Sequence, residues 1–296
     1  MKPALSAVIA ATLLVSCGGG IDDGAAPEPT PTTDATPASP DPGTEYEATG
    51  FVLQAAPDAD PKLCLGGVME SYPPQCGDIP IANWDWNDVP GEERASGVTW
   101  GDYTLVGNFD GDVFTMTRPP KRAVHPEPPP EEPIETPCDA PPGGWQTTDS
   151  STTSDPSFEA TMAAARREPD FAGAWIEYLD PYRPDSDSDP QYPIITAAFT
   201  GDLDRHERDL RALWDGPLCV WHHDRSLHEL EQIQQDLTEN AGDDFGLDAL
   251  YSNASETDNI VELGVVWIDR ATKNAIDDRY GRGIVEVTPA LRPVTR

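Results

Sequence analysis

Basic residues are scarce in this chain, and their scarcity excludes one large class of partners. Of 296 residues, 19 are lysine or arginine and 53 are aspartate or glutamate, which gives a formal net charge of −34. A surface this acidic repels both the phosphates of nucleic acids and the anionic surface of membranes. We therefore expect no nucleic-acid partner and no membrane attachment through a basic patch.

The common sequence motifs of catalysis are also absent. The chain contains no G-x-S-x-G, no G-x-x-x-x-G-K-[ST], no G-x-G-x-x-G after a strand and no H-E-x-x-H. These absences leave no nucleophile, phosphate cradle or zinc motif that the sequence identifies. We expect a protein that is not an enzyme, with no catalytic residues and no cofactor.

Long apolar runs are missing except at the start of the chain. Ala4 to Val15 follows the single cation Lys2, and this run is too short to span a bilayer but has the length of a signal-peptide core. The next residues, Leu14-Val15-Ser16-Cys17, resemble the lipobox of bacterial lipoproteins. The resemblance implies that the signal peptide 1–16 is removed and that Cys17 carries acyl chains. These chains anchor the protein on the extracytoplasmic face of the cell membrane. An ordinary secretory signal is the alternative, but the A-x-A pattern of its cleavage site is missing.

The cysteines are few, and their number is odd. With Cys17 assigned to the lipid, four remain: Cys64, Cys76, Cys138 and Cys219. In an oxidising compartment four cysteines indicate two disulfides, for which three pairings exist. We favour Cys64–Cys76 and Cys138–Cys219. The first bond then stays on one side of a linker, and the second ties a linker to the neighbouring domain. A zinc site of four thiolates is the alternative, although no C-x2-C pair is present.

Proline is abundant and clustered, and its clusters divide the chain. We predict a Pro/Thr-rich tether over 17–47, a small all-β domain over 48–118, a Pro/Glu-rich linker over 119–153 and an α+β domain over 154–296. Within the β domain, Asp110-Gly111 between two β-rich runs predicts a hairpin with a two-residue type I′ turn. A core this small is expected to need the Cys64–Cys76 disulfide.

The last segment alternates strands with amphipathic helices. Asp155-Pro156 and the capping box Ser226-x-x-Glu229 predict helix starts, and Gly281 predicts a helix end. Apolar runs at 192–199 and 260–268 predict strands. We therefore expect an α+β fold overall, with two βαβ-like lobes over antiparallel sheet in the C-terminal domain.

Three groups of residues are candidate binding sites. His222, His223, Asp224 and His228 are candidate metal ligands, although adjacent residues on a strand point to opposite sides. The alternating carboxylates of 185–189 resemble a calcium loop without its glycine and glutamate, so we interpret them as a solvated loop. Trp84 and Trp86 either stack on sugar rings or fill the core of the β domain, and we favour the core. His206, on the apolar face of its helix, is expected to be a packed histidine.

Part of the C-terminal domain resembles a known family. The matching pieces are Phe171-Ala172-Gly173-Ala174-Trp175-Ile176-Glu177, then 197–201, Ser226 to Leu230 with Leu237, and Val266-Trp267-Ile268-Asp269. They are similar, in the same order, to the pro-region of alpha-lytic protease and the streptogrisins. That resemblance implies a domain that binds a protease, assists its folding and inhibits it. No protease domain follows Arg296, so we expect any such action to occur in trans.

Two functional hypotheses follow from these observations. The first is a lipid-anchored, non-enzymatic binding protein that uses an exposed apolar or strand-edge surface to hold a protein partner. The second is a metal- or glycan-binding surface protein, or an enzyme of another class. It requires a pocket where His222, His223 and Asp224 meet.

Overall fold

Short β-strands with alternating buried and exposed side chains form the first half of the structure. The computed structural model describes residues 39–69, 71–77, 79–124, 136–145, 155–177 and 193–295. The strands of this half are β1 (Tyr46–Gln54), β2 (Lys62–Cys64), β3 (Ile79–Ala82), β4 (Glu93–Ala95), β5 (Val98–Phe109), β6 (Phe114–Met116) and β7 (Lys121–Arg122). A single 3-10 turn, Trp86–Asp88, follows β3, and Asp85 caps it by accepting a bond from the Asn87 N–H.

Five of these strands close into a small barrel. Strand β1 pairs antiparallel with β2 on one side and with the long strand β5 on the other. The ring is completed because β2 pairs with β3, β3 pairs parallel with β6, and β6 pairs with β5. Val52, Leu63, Leu105 and Phe114 fill the interior and are completely buried. The segment predicted as all-β thus contains strands and one 3-10 turn, and its sheet closes into a small barrel, which the sequence did not predict.

The β5–β6 hairpin has a longer turn than the sequence predicted. Phe109 pairs with Phe114, so four residues, 110–113, form the connection rather than the two residues of a type I′ turn. The Asp110 carboxylate accepts hydrogen bonds from the backbone N–H groups of Asp112 and Val113, at 2.9 and 2.8 Å. An aspartate that bonds the backbone two and three residues ahead stabilises this wider loop. These bonds also lower the pKa of Asp110.

Helices and strands alternate in the second half, as predicted. The helices are α1 (Asp155–Ala165), α2 (Leu203–Arg211), α3 (Leu227–Phe245) and α4 (Arg270–Tyr280). The strands are β8 (Phe171–Glu177), β9 (Ile194–Phe199), β10 (Leu218–His222), β11 (Ala249–Ser255), β12 (Ile260–Val265), β13 (Val285–Pro289) and β14 (Arg292–Pro293). The starts of α3 and α4 follow the capping rules, since Ser226 and Glu229 form both bonds of the capping box and Asp269 accepts from the Thr272 N–H. Asp202, before α2, makes no side-chain cap bond.

The strands of this half form two three-stranded sheets with the same path. In each, a helix connects two parallel strands: α2 joins β9 to β10, and α4 joins β12 to β13. The third strand, β8 or β11, pairs antiparallel with the central strand. The α+β class is thus confirmed. The arrangement differs from the predicted lobes in two ways. Strand β11 was not predicted, and β14 pairs with a strand of the barrel rather than with either of these sheets.

Strand β14 joins the barrel and ties the two halves together. It pairs antiparallel with β1, and the N–H of Val294 donates to the Glu45 carbonyl at 2.8 Å. Leu291 and Val266 belong to the core of the barrel, and the Trp267 indole donates to the Tyr46 hydroxyl at 3.1 Å. The described residues accordingly lie in one compact unit.

The structure contains both disulfides in the pairing favoured above. Cys64 bonds to Cys76 at the side of the barrel, and Cys138 bonds to Cys219 on β10. Beside the second bond, the Thr136 N–H donates to the Glu177 carboxylate at 2.6 Å, and Thr196 donates to the Thr136 hydroxyl. Residues 136–138, within the predicted linker, therefore lie against the β8–β10 sheet.

The strands of the barrel extend slightly beyond the predicted bounds of the β domain, 48–118. Strand β1 begins at Tyr46, inside the predicted tether 17–47, and β7 lies just beyond the predicted end of the β domain at 118. Cys17 and the carboxylates of 185–189 lie outside the described residues. The lipidation of Cys17 and the interpretation of 185–189 as a solvated loop stay predictions.

Candidate functional site

The histidines proposed as metal ligands lie near one another in sequence but do not converge. His222 and Asp224, the sequence neighbours of His223, are both exposed. His228, in the first turn of α3, bonds through its Nε2 to the Gln232 amide at 3.1 Å. Among the residues that the structure describes, the group with three ligand atoms close together contains none of these four. The pocket that the second hypothesis requires is therefore not formed by these side chains.

His223 is held in a half-buried position between the two sheets of the C-terminal half. Its imidazole lies 5.9 Å from the ring of Trp175 and bonds to the backbone carbonyl of Glu256. Its Nε2 is buried and has no hydrogen-bond partner among the described residues. Burial is the largest influence on this group and lowers the pKa of His223, which favours the neutral imidazole.

A different group of ligand-type side chains does converge. Oxygen or nitrogen atoms of Glu168, Asp170 and His206 lie within 4.8 Å of one another. His206 is only 2% exposed, and its ring stacks on Phe199 with a centroid distance of 3.7 Å. Its Nε2 lies 2.9 Å from the Asp170 carboxylate. The apolar face of α2 predicts the packed histidine, but no sequence pattern indicates the two carboxylates, which precede β8.

The negative charge of this group is partly balanced by a side chain of α2. Arg205 donates to Glu168 at 2.9 Å, and its other terminal nitrogen lies 3.0 Å from His206 Nε2. The hydrogen bond to Glu168 is the largest cause of the raised pKa of Arg205. Because a guanidinium lies where a cation would bind, we interpret the group as an ionic link between the β8 start and α2 rather than as a metal centre.

The two tryptophans favoured as core residues are partly buried and pack against the core of the barrel. Trp84 and Trp86 lie against the barrel core, with ring centroids 5.0 and 6.2 Å from that of Tyr103. Their centroids are 5.1 Å apart at a steep angle. Trp86 lies in the 3-10 turn, so the two rings do not share the face of an extended strand. This packing uses the rings internally, in agreement with the core interpretation.

The outer strands of the two C-terminal sheets differ in how their backbones are covered. Side chains bond to the backbone of three of them: Glu256 accepts from Ala174 of β8, Arg211 donates to Leu218 of β10, and Gln234 donates to Ser252 of β11. The fourth outer strand, β13, has no such bond from any described residue to its segment Val285–Pro289.

The backbone groups that β13 leaves open can be identified from its parallel register. Val261 donates to the carbonyl of Ile284, and Ala290 donates to that of Val265. In a parallel ladder every second residue bonds to the neighbouring strand, so the even-numbered residues face β12. The N–H and C=O groups of Val285 and Val287 therefore face outward, while Pro289 has a carbonyl but no N–H.

Comparisons with known proteins add no family to these observations. The chain matches no family model, and no curated protein matches it. Within the described part of the chain, no helix has both the length and the apolar character needed to cross a membrane.

Proposed function

We propose that this chain is a lipid-anchored, extracytoplasmic, non-enzymatic binding protein that holds a partner by adding a strand to β13. The lipobox-like residues before Cys17 support the anchor, and the two disulfides agree with an oxidising compartment outside the cytoplasm. Because the C-terminal domain resembles protease pro-regions, we expect the partner to be a protease encoded as a separate chain.

The open edge of β13 is the observation that carries this proposal. Natural proteins cover or interrupt exposed strand edges because these edges pair with other chains. In this molecule side chains bond to the backbones of β8, β10 and β11. An extended segment beside β13 would bond to the free groups of Val285 and Val287, which is the usual geometry of strand addition.

The charge near this edge indicates what the added strand carries. The side chains of Val285 and Val287 point into the core, whereas those of Glu286 and Thr288 are exposed on the other face. Glu262 of β12 is the cross-strand partner of Glu286. A basic residue on the same face of the partner strand would relieve the repulsion between these two carboxylates.

A site-specific crosslink tests the proposal. With benzoylphenylalanine in place of Thr288, we expect a discrete adduct with one partner protein in intact cells, recovered in the membrane fraction. Val287→Pro in the same chain removes one outward N–H without touching the β12 ladder and should abolish the adduct. Val287→Ala is the matched control, since it shortens the side chain but keeps the N–H, and its adduct should persist.

Two outcomes would contradict the proposal. An adduct that survives Val287→Pro would show that the partner does not use the strand edge. The same photoreactive residue placed at Glu239 on α3 serves as the reference position. Absence of any adduct at Thr288 in this comparison would refute β13 as the docking site. Cys17→Ser should move the protein from the membrane to the soluble fraction, and continued membrane retention would refute the lipid anchor.

A further inference from the structure

A cleft lies between the β5–β6 hairpin of the barrel and helix α3. It has a volume of about 490 Å³ and is lined on one side by Phe109, Gly111 and Asp112 and on the other by the second half of α3 and the start of β11. This volume falls in the range of sites for small organic molecules, roughly 300–1,000 Å³. The cleft is therefore large enough to be a binding site in its own right.

The lining of the cleft combines an apolar floor with a negative rim. Ile79, Phe109 and Leu237 lie beneath the cleft and are 6, 3 and 0% exposed, so the apolar surface open to a ligand comes mainly from the more exposed Ala249 and Leu250. Asp112 and Asp248 line opposite sides and are exposed. The described lining contains no lysine, arginine or histidine, and neither carboxylate has an ion-pair partner among the described residues.

We propose that this cleft binds a small organic cation, an amine whose apolar body fills the cleft and whose ammonium group is held by Asp112 and Asp248. The apolar floor favours burial of a hydrocarbon or aromatic body. The two carboxylates favour a positive head group, and the net charge of −34 strengthens that preference over long distances. An anion of the same shape would be repelled.

This site is separate from the proposed docking edge. The cleft includes the first residues of β11, whereas the open edge belongs to β13, and β12 lies between these two strands. The proposal goes beyond the strand-addition function, so either one can fail while the other stands.

Three ligands of one shape and different charge test the charge preference. In calorimetric titrations of the full chain, 4-phenylbutylamine should bind at one site per chain. We expect its affinity to exceed that of 4-phenylbutanol by about five-fold, which is the order expected from two partly exposed carboxylates. 4-Phenylbutyrate should bind more weakly still, and added salt should reduce the difference. Equal affinity for the amine and the alcohol, or amine binding without saturation at one site, would overturn the proposal.

A substitution at Gly242 tests the location of the site. Gly242 lines the cleft from α3, and a Cβ there would meet only the Leu247 carbonyl, at 3.7 Å. Gly242→Leu should therefore fill the cleft and reduce amine affinity at least ten-fold. Because leucine is a better helix former than glycine, the thermal midpoint should not fall. Gly242→Ala is the matched control, with a smaller loss of affinity. Unchanged binding in Gly242→Leu would place the amine elsewhere.

A charge-matched pair of variants separates local recognition from general attraction to an acidic protein. Asp112→Asn with Asp248→Asn should weaken amine binding about five-fold and leave binding of the alcohol unchanged. The control pair, Asp204→Asn with Glu207→Gln on α2, removes the same charge from a helix that does not line the cleft. It should retain the original affinity. Equal losses in both pairs would show that only the net charge attracts the amine, which would refute the site.

Discussion

His223 shows how one buried side chain can make stability depend on pH. Its ring bonds to the Glu256 carbonyl, and burial lowers its pKa below the ordinary value of 6.5. Between the two pKa values the unfolded chain binds a proton that the folded chain does not, so stability rises with pH in that interval. The contribution is fully present above pH 6.5 and is lost as the pH falls toward the lower, folded-state pKa.

We expect His223→Gln to reduce the loss of stability on mild acidification. The free energy of unfolding, measured with urea at pH about 8 and about 5, should fall less in the variant than in the original chain because the titrating group is gone. His222→Gln, at the exposed neighbouring position, is the control and should keep most of the original pH dependence, because His222 is a smaller cause of the lowered pKa of His223 than burial is. Equal pH dependence in both variants would contradict this account.

Gly173 shows how a single residue positions two elements. It has a φ of +152°, and a Cβ there would lie 2.7 Å from the carbonyl oxygen of Glu256 and 2.8 Å from the Glu256 Cβ. The next residue, Ala174, donates its N–H to the Glu256 carboxylate at 2.7 Å. Glycine is thus required where strand β8 meets the connection between β11 and β12.

Gly173→Ala should therefore destabilise the protein. The added methyl group must push β8 away from Glu256, and the alanine must adopt an unfavourable backbone conformation. Together these effects cost about 2 kcal/mol or more. Urea unfolding measures the change. Gly201→Ala is the matched control, because nothing lies within 4 Å of its Cβ position, and its effect should stay within about 0.5 kcal/mol.

The elements that sequence reasoning identified are those with local signals. The capping box at Ser226 and the acidic cap at Asp269 define the starts of α3 and α4, and both are formed by residues within one helical turn. Strand β11 was missed because Ala249–Ser255 contains no β-branched residue and directly follows a long helix. Its strand conformation comes from pairing with β12. The β-propensities of its own residues do not predict a contact with another segment.

The features of the candidate sites depend on contacts between distant parts of the chain. The open backbone of β13 follows from the strand order, which places β12 on one side of it only. Glu168 and Asp170 reach His206 because of the path between α1 and α2, a separation of more than thirty residues. Sequence patterns identify residue types, but such convergence is set by tertiary packing.

At the scale of the whole molecule, the C-terminal part of the chain adds a strand and a core residue to the barrel. Leu291 is 1% exposed within the barrel core, and β14 pairs with β1. The barrel therefore depends on Leu291 and β14, which follow β13 of the β11–β13 sheet by only a few residues. The two halves should unfold together, because opening either one exposes the core of the other.

Leu291→Ala tests this dependence. Removing a buried leucine side chain costs about 2–5 kcal/mol, and we expect the loss to appear in both halves. Hydrogen exchange followed by mass spectrometry should show equal loss of protection in peptides from β5 and from β12. Leu213→Ala, at a position 40% exposed, should have little effect. Loss of protection confined to the barrel would show that the halves unfold independently.

The uneven covering of the outer strands also limits how copies of this protein can associate. A fibre grows only if each molecule offers two surfaces that bond to its neighbours, whereas a molecule with one such surface stops at a pair. In the two C-terminal sheets only β13 lacks a side chain bonded to its backbone among the described residues, and Pro289 shortens the ladder it can form. Association through β13 alone would therefore favour closed dimers over open-ended aggregates, and a bound partner strand would prevent even these.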